Sequence, residues 1–512
     1  MTAAVLVFPD TYVDSVVAMQ AMRAMRESDG VEWATAVMAT PANVDALRSE
    51  GIDDAALAKA AANDFCLAVR GDDKGNTEQA LQAGKDAAFA ARLAEATTAA
   101  RKPRALRLAV AEQPESNVAI VSVPGEYAAL AAFQSLGLGL HVLLFSDNVP
   151  LEQEVALKRF ARSRGLLVMG PGAGTAMLAG TGLGFANVVR PGRVGVVAAA
   201  GTGAQEAMSL LDRWGVGVSQ VIGLGGRDLS REVGGLMAIS AVETLREDPG
   251  TDAILLVSKP PNRDVAAQVV AAAGDTPLVA ALIGLDPATL SVPDTVTLTS
   301  TLESGVVATL RALGHASPDT TRLYGRSLAE AQNRLADGRS AVRGLFSGGT
   351  LCYESLVILS RMLGPVYSNT PIQPELGLPA PPASHQCLDL GEEEYTRGRP
   401  HPMIDAEARI EVLREHAGDD TVAAIILDVV LGYGSNADPA GALAPVCERI
   451  MSSGGPQVVA YVLGTDGDPQ GLAGQRDRLA EAGCIVTETA ARASLAAAAL
   501  ATRNPALIGT EL

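Results

Sequence analysis

The chain has 512 residues, 48% hydrophobic and 19% charged, enough apolar material for about three or four packed domains at roughly 150 residues each. A net charge of −18 excludes non-specific binding to nucleic acid or an anionic membrane, and 4% aromatic residues argue against a base-stacking surface. The longest apolar runs, such as Val194–Ala200 and Ala423–Leu431, fall short of the ~18–20 residues of a membrane span and end in Gly-rich turns. The N-terminus reads as a strand rather than a secretion signal. Five scattered cysteines without a CxxC fit reduced thiols in a cytoplasmic protein and offer no metal site.

Short apolar runs alternate with amphipathic ones along nearly the whole chain. AAVLVF, VEWATAVM, FCLAVRG, NVAIVSVP, HVLLFS and LLVMG read as six strands up to Gly170, separated by helical stretches. Continuous rather than alternating apolar strands predict a parallel sheet covered on both faces. A second unit follows with strands RVGVVAA, VSQVIGL, AILLVS, LVAALIG and TVTLTS, and 322–343 reads as a charged connecting helix. A third starts at VRGLFSGG and continues through LDLG, AAIILDVV, QVVAYVLG and CIVTET. The proline-rich 371–385 segment is expected to be an ordered loop wrapping a partner domain, with a flexible linker as the rival.

Ligands of open α/β sheets bind beyond the C-terminal strand ends, so the βα turns carry the candidate chemistry. In VGVVAAAGTGAQEAM, Gly201-Thr202-Gly203 leads through Ala204 and Gln205 into a helix whose first N–H groups suit phosphate or carboxylate, unless the turn is merely tight. Two further turns follow the same logic: Ser347-Gly348-Gly349-Thr350, and Gly432-Tyr433-Gly434-Ser435-Asn436. Arg227 is either an anion clamp or half of a structural pair with its neighbour Asp228. In LDLGEEEYTRGRPHPMIDAEAR, Arg399 and the proline-flanked His401 form a candidate acid/base or phosphate-binding pair; the bland alternative is the start of a helix. His141, His416 and Cys352 read as structural.

GPGAGTAM, VGVVAAAGTGAQEA and VIGLGGRDL resemble the α-subunit ligase domain of succinyl-CoA synthetase. LFSGGTLCYES, QCLDLG, AAIILDVVLGYGSN and VLGTDGDPQG resemble the C-terminal ligase domain of its β-subunit. The fusion in this order, with SGGTLCYE, GRPHPMID and GTDGDPQ, resembles the FdrA family over almost the whole chain. The implied fold is α/β: a Rossmann-like, CoA-binding-like domain over 1–168, a flavodoxin-like ligase domain over 169–322, a connecting helix over 323–343, and a second flavodoxin-like ligase domain over 344–512.

The resemblance also implies a phosphoryl group held between two facing helix N-termini, here matched to Gly201–Gln205 and Gly432–Asn436. The sequence departs from the synthetase in three ways. SVPDTV stands where the phosphohistidine stretch would be, no ATP-grasp segment precedes the third unit, and FPDTYVDS replaces the CoA-holding glycine turn. An acyl phosphate suits what remains. The FdrA resemblance implies a subunit of an oxamate carbamoyltransferase of allantoin-type nitrogen catabolism, using carbamoyl phosphate and assembling with other transferase subunits, or as a homodimer. An ADP-forming acyl-CoA synthetase and a non-catalytic scaffold are the competing readings. No cofactor follows from the residues themselves; CoA is the one the resemblance offers.

Overall fold

A computed structural model describes residues 2–13, 15–52, 55–95, 103–397 and 399–512. Two compact units emerge, one of Met1–Arg104 with Thr396–Pro400, the other of Ala105–Tyr395 with His401–Leu512.

In the smaller unit, β1 (Thr2–Phe8), β2 (Val31–Met38) and β3 (Phe65–Gly71) form a sheet in the order β1-β3-β2, antiparallel at both contacts. Helices Ser15–Arg26 and Lys74–Glu95 bury one face around Met25, Leu67 and Val69. Helix Pro41–Ser49, capped by the Thr40 side chain, covers the other with Val44 and Leu47 against Cys66 and Ala68. The expected single parallel domain over 1–168 is therefore corrected. Its first three strands form a separate antiparallel sheet, and they read as continuous apolar runs because helices cover both faces.

The larger unit begins with β4 (Val118–Val121), β5 (His141–Leu144) and β6 (Val168–Met169), a small parallel sheet in that order. A seven-stranded sheet follows. It contains the hairpin β7 (Thr175–Leu178) and β8 (Thr181–Gly184), then β9 (Pro191–Ala198), β10 (Val218–Gly223), β11 (Ala253–Ser258), β12 (Leu278–Leu282) and β13 (Val296–Thr299). The order is β13-β12-β11-β9-β10-β7-β8, with β9 to β13 all parallel. That parallel part has the flavodoxin-like order, and the chain reverses direction across the sheet at β9 and β11.

The last sheet holds β14 (Leu323–Gly325), β15 (Ala341–Phe346), β16 (Val366–Ser368), β17 (His385–Asp389), β18 (Val422–Val430), β19 (Gln457–Leu463) and β20 (Ile485–Thr487). Its order is β14-β20-β19-β18-β15-β17-β16, and only β14 runs antiparallel. Here the reversal falls between β15 and β18. The expected connecting helix over 323–343 is corrected: it opens with the edge strand β14, and only Leu328–Arg334 is helical, started by a Ser327/Glu330 capping box. The proline-rich loop links the adjacent parallel strands β16 and β17 and carries one helical turn, Pro374–Leu376.

One apolar cluster joins the two seven-stranded sheets, running from Val196 and Leu210 through Val306 and Leu351 to Ile426 and Tyr461. A second lies between the β4–β6 sheet and the other face of the β9 sheet, with Leu143, Met169, Ile222 and Leu256. Between the same layers, fully buried Lys158 is paired to Glu154 and Asp228, each at 2.8 Å. All five cysteines are buried. Among the described residues no helix is long and apolar enough to cross a membrane.

Candidate functional site

Both chain reversals place a glycine-rich turn and a helix N-terminus at the C-terminal strand edge. After β9, helix Gly201–Arg213 starts without a side-chain cap, because its preceding residue is Ala200. The N–H groups of Gly201, Thr202 and Gly203 have no acceptor among the described residues; Gly201 is exposed, while Thr202 and Gly203 are buried. After β15, helix Gly349–Leu363 starts from Gly348. The donors just ahead of it are already satisfied: Asp428 of β18 accepts from Ser347 N–H at 2.8 Å, Ser347 Oγ at 3.0 Å and Gly348 N–H at 2.8 Å. Arg409 Nη2 holds the same carboxylate at 2.6 Å, and both side chains are almost wholly buried.

The two helix ends meet. Thr350 N–H donates to Thr202 Oγ1 at 3.2 Å. A Cβ on Gly203 would lie 3.0 Å from Thr350 Cγ2, and one on Gly348 2.8 Å from Thr202 Cγ2, so this approach requires glycine. The expected partnership of Gly201–Gln205 with Gly432–Asn436 is corrected, since Ser347–Thr350 takes that place. Most donors of the Gly432 turn are taken: Gly432 N–H by Gln470 Oε1 at 3.1 Å, Tyr433 N–H by Ala186 O at 2.8 Å and Asn436 N–H by Met403 O at 2.8 Å, while Gly434 N–H has no acceptor among the described residues. Asn436 Nδ2 donates to Ile404 O, Gly434 lies against Phe185, and Ser435 Oγ is buried with no partner among the described residues.

Other expected groups also fall outside the meeting point. Ala204 and Gln205 are buried; Gln205 Nε2 donates to Asn187 Oδ1 at 3.3 Å, away from solvent. Arg227 pairs with Glu154 at 2.8 Å and donates to Val149 O at 2.7 Å, not to Asp228. Asp228 instead pairs with Lys158 and caps helix Leu236–Glu247 through Met237 and Ala238 N–H. Arg399 belongs to the smaller unit and His401 to the larger one. Burial drives the Cys352 thiol well above its ordinary pKa, which fits packing rather than nucleophilic chemistry.

Three groups rim the meeting point. His401 Nδ1 accepts Met403 N–H at 3.2 Å, so a neutral imidazole carries its proton on Nε2. Burial lowers the His401 pKa, opposed by Asp428, so the ring is neutral near pH 7. Asp389 closes β17; its Oδ1 accepts Gly391 N–H at 3.0 Å, and its backbone is clamped by Asn369 through two bonds of 2.9 Å. Burial pushes its carboxyl up to about 6, opposed chiefly by Lys259. Lys259 follows β11 with its ammonium 5.6 Å from the centre of the Tyr353 ring. Sequence reasoning missed Asp389, Asp428 and Lys259. Asp428 left a signal, a lone carboxylate inside the otherwise apolar run VAAIILDVV, which needs a partner or a purpose.

The sequence also matches known proteins. Models of three families fit successive stretches: the AllF heavy metal-associated domain over residues 1–104, a CoA binding domain over 189–281, and CoA-ligase over 345–500. The uncharacterized protein YahF of Escherichia coli is 38% identical over 509 residues, covering 97% of this chain and 98% of that protein. The chain belongs to the FdrA family. Within it, the CoA-binding and CoA-ligase regions are of the succinyl-CoA synthetase type. The succinate–CoA ligase α-subunit of Methanothermobacter thermautotrophicus is 29% identical over 153 residues, 29% of this chain and 51% of that subunit. The sulfoacetate-CoA ligase subunit SauD of Bilophila wadsworthia is 28% identical, over 35% of this chain and 63% of that subunit. The match thus spans about half to two thirds of these ligase subunits. A dinucleotide forming acetyl-coenzyme A synthetase from Ca. Korarchaeum cryptofilum overlaps 77% of the chain at 15% identity and TM-score 0.29, too loose to add to the strand order.

The description of the N-terminal family names a heavy metal, and the residues present do not fit one. Residues 1–104 contain one cysteine and no histidine. Cys66 is buried on β3 with its thiol pushed up to about 11. Soft metals need accessible thiolates, thioethers or imidazoles, and Met22 and Met25 are buried like Cys66.

Proposed function

We propose that this protein transfers an acyl group between phosphate and a nucleophile, as an acyl-CoA ligase does in its thioester-forming half. The single observation behind this reading is the meeting of two helix N-termini, one with three unfilled N–H groups, inside the span matched by the CoA-binding and CoA-ligase families. The phosphate of an acyl phosphate rests on Gly201–Gly203. The CoA thiol gives up its proton to a base as its sulfur attacks the acyl carbon; a C–S bond forms, the C–O bond to phosphate breaks, and phosphate leaves with the bonding pair. Fixed backbone dipoles stabilise the charge that gathers on the departing oxygens. CoA enters as a substrate thiol.

A second acceptor is favoured by the small polar rim of Asp389, His401 and Lys259. It suits a compact amide such as oxamate receiving the carbamoyl group of carbamoyl phosphate, with the other transferase subunits as partners. The experiment offers acetyl and carbamoyl phosphate to the full chain with CoA or oxamate and measures thioester, oxalurate and released phosphate. Thioester from acetyl phosphate is the expected product, and it should disappear in Gly203→Val. Oxalurate alone would establish the second acceptor. No product from any combination, with no stabilisation of the fold by phosphate, would sink both and leave a scaffold.

A further inference from the structure

Asp389 is only 4% exposed, yet half of its carboxylate is unused. Oδ1 takes the Gly391 N–H, while Oδ2 accepts no hydrogen bond from the described residues. Oδ2 lies against Gly349, where a Cβ would collide with it, so it is aimed at the first residue of helix Gly349–Leu363. Gly391 allows a second close approach. A Cβ there would lie 2.7 Å from His401 Nε2, 3.1 Å from Asp389 Oδ1 and 3.3 Å from Ser347 O. His401 Nε2 and the Asp389 carboxylate therefore crowd the same side of Gly391. The Gly391 bond uses Oδ1, while Oδ2 stays without a hydrogen bond from the described residues beside a helix N-terminus, whose dipole favours its ionised form.

We propose that Asp389 is the proton acceptor of the transfer site, with His401 Nε2–H orienting the nucleophile and Lys259 setting the charge around the carboxylate. This rests on the acyl-transfer reading above. The nucleophile's S–H or N–H proton passes to Asp389 Oδ2 as its lone pair forms the bond to the acyl carbon. The C–O bond to phosphate then breaks, phosphate departs with that pair, and Asp389 returns its proton to solvent. The charged groups around Asp389 are Lys259 beyond β11, Glu392 on its own loop and Asp428 on β18, with the Cys352 thiol on helix Gly349–Leu363. Arg409 already neutralises Asp428. Burial, Glu392 and Asp428 favour the protonated form and Lys259 opposes them, placing the carboxyl at about 6. A base must be ionised to act, so transfer should rise with pH through about 6. Binding of an anion beside Oδ2 should weaken over the same range.

The test uses the full chain and two readouts between pH 5 and 8: transfer rate, and thermal stabilisation by sulfate, whose own charge is constant there. In Asp389→Asn the sulfate effect should persist but lose its pH dependence, while transfer falls about a hundredfold and loses its acid limb. Lys259→Met, at a half-exposed position, should shift the wild-type limb to higher pH and serves if the asparagine variant fails to fold. Transfer within threefold of wild type in Asp389→Asn, or an unmoved limb in Lys259→Met, overturns the assignment. If wild type transfers nothing, the acyl-transfer reading fails. Sulfate then decides alone: a pH-dependent wild type with a flat Asp389→Asn places the carboxylate at the anion site, and identical profiles remove it.

Discussion

Gly203 and Gly434 both sit in glycine-rich turns of the same outward appearance, and their surroundings separate them. A valine at 203 meets Thr350 and Val257 at 3.0 Å, so it forces the two helix ends apart. A valine at 434 meets the Phe185 ring and must also adopt a φ near +83°, a backbone cost of order 1 kcal/mol or more. Gly203→Val should therefore abolish stabilisation by phosphate. Gly434→Val should lower the melting temperature while leaving the phosphate-induced shift intact. Phosphate titrations of thermal unfolding on both variants check this, and equal loss of the shift would restore the Gly432 turn to the site. The glycines themselves were legible in the sequence, but not which pair would meet. That depends on strand order, which brings the helix after β15 to the Gly201 helix, and on Gln470, Ala186 and Met403 taking three of the other turn's donors.

Helix Leu302–Ala312 shows how an element can be anchored by a group from elsewhere. The Thr301 side chain caps Ser304 N–H, and Glu354, from helix Gly349–Leu363, accepts Leu302 N–H at 2.6 Å. Glu354 is buried, its Oε2 has no partner among the described residues, and desolvation pushes its carboxyl up to about 8. The folded chain thus keeps a proton that the unfolded chain, at the ordinary 4.5, releases. Stability from this group is complete below about 4.5 and is lost as pH rises to about 8, at up to ~1.4 kcal/mol per pH unit. Glu206, raised to about 7 in the same core, adds a similar slope over a narrower range. Glu354→Gln should flatten most of the decline in denaturation midpoint between pH 5 and 8; an unchanged slope would place the proton elsewhere. Among the elements, the strands and helices of the two ligase-like domains follow their apolar runs closely, β9 to β13 above all. Pairing direction in β1–β3 was not legible, because helices on both faces erase the alternation that marks an antiparallel sheet. The β7–β8 hairpin escaped notice because a strand of four residues carries too little pattern.

At the scale of the molecule, the core that joins the two seven-stranded sheets makes residues 173–512, apart from 396–400, a continuous packed body. The β4–β6 sheet attaches to it through a second core and the buried Lys158 pairs. The smaller unit has its own two clusters. Hydrogen exchange should accordingly resolve two cooperative openings. Amides in β1–β3 should exchange through one, and those in β9, β11, β15 and β18 together through the other. A single uniform opening across all seven strands would contradict the division. The interior has a practical consequence for the bench. Because Cys66, Cys352, Cys387, Cys447 and Cys484 are all enclosed, the native chain is silent to alkylating dyes. A lone cysteine engineered onto an exposed position would then be its single reactive handle, and the appearance of the five native thiols would time unfolding without any reporter being added.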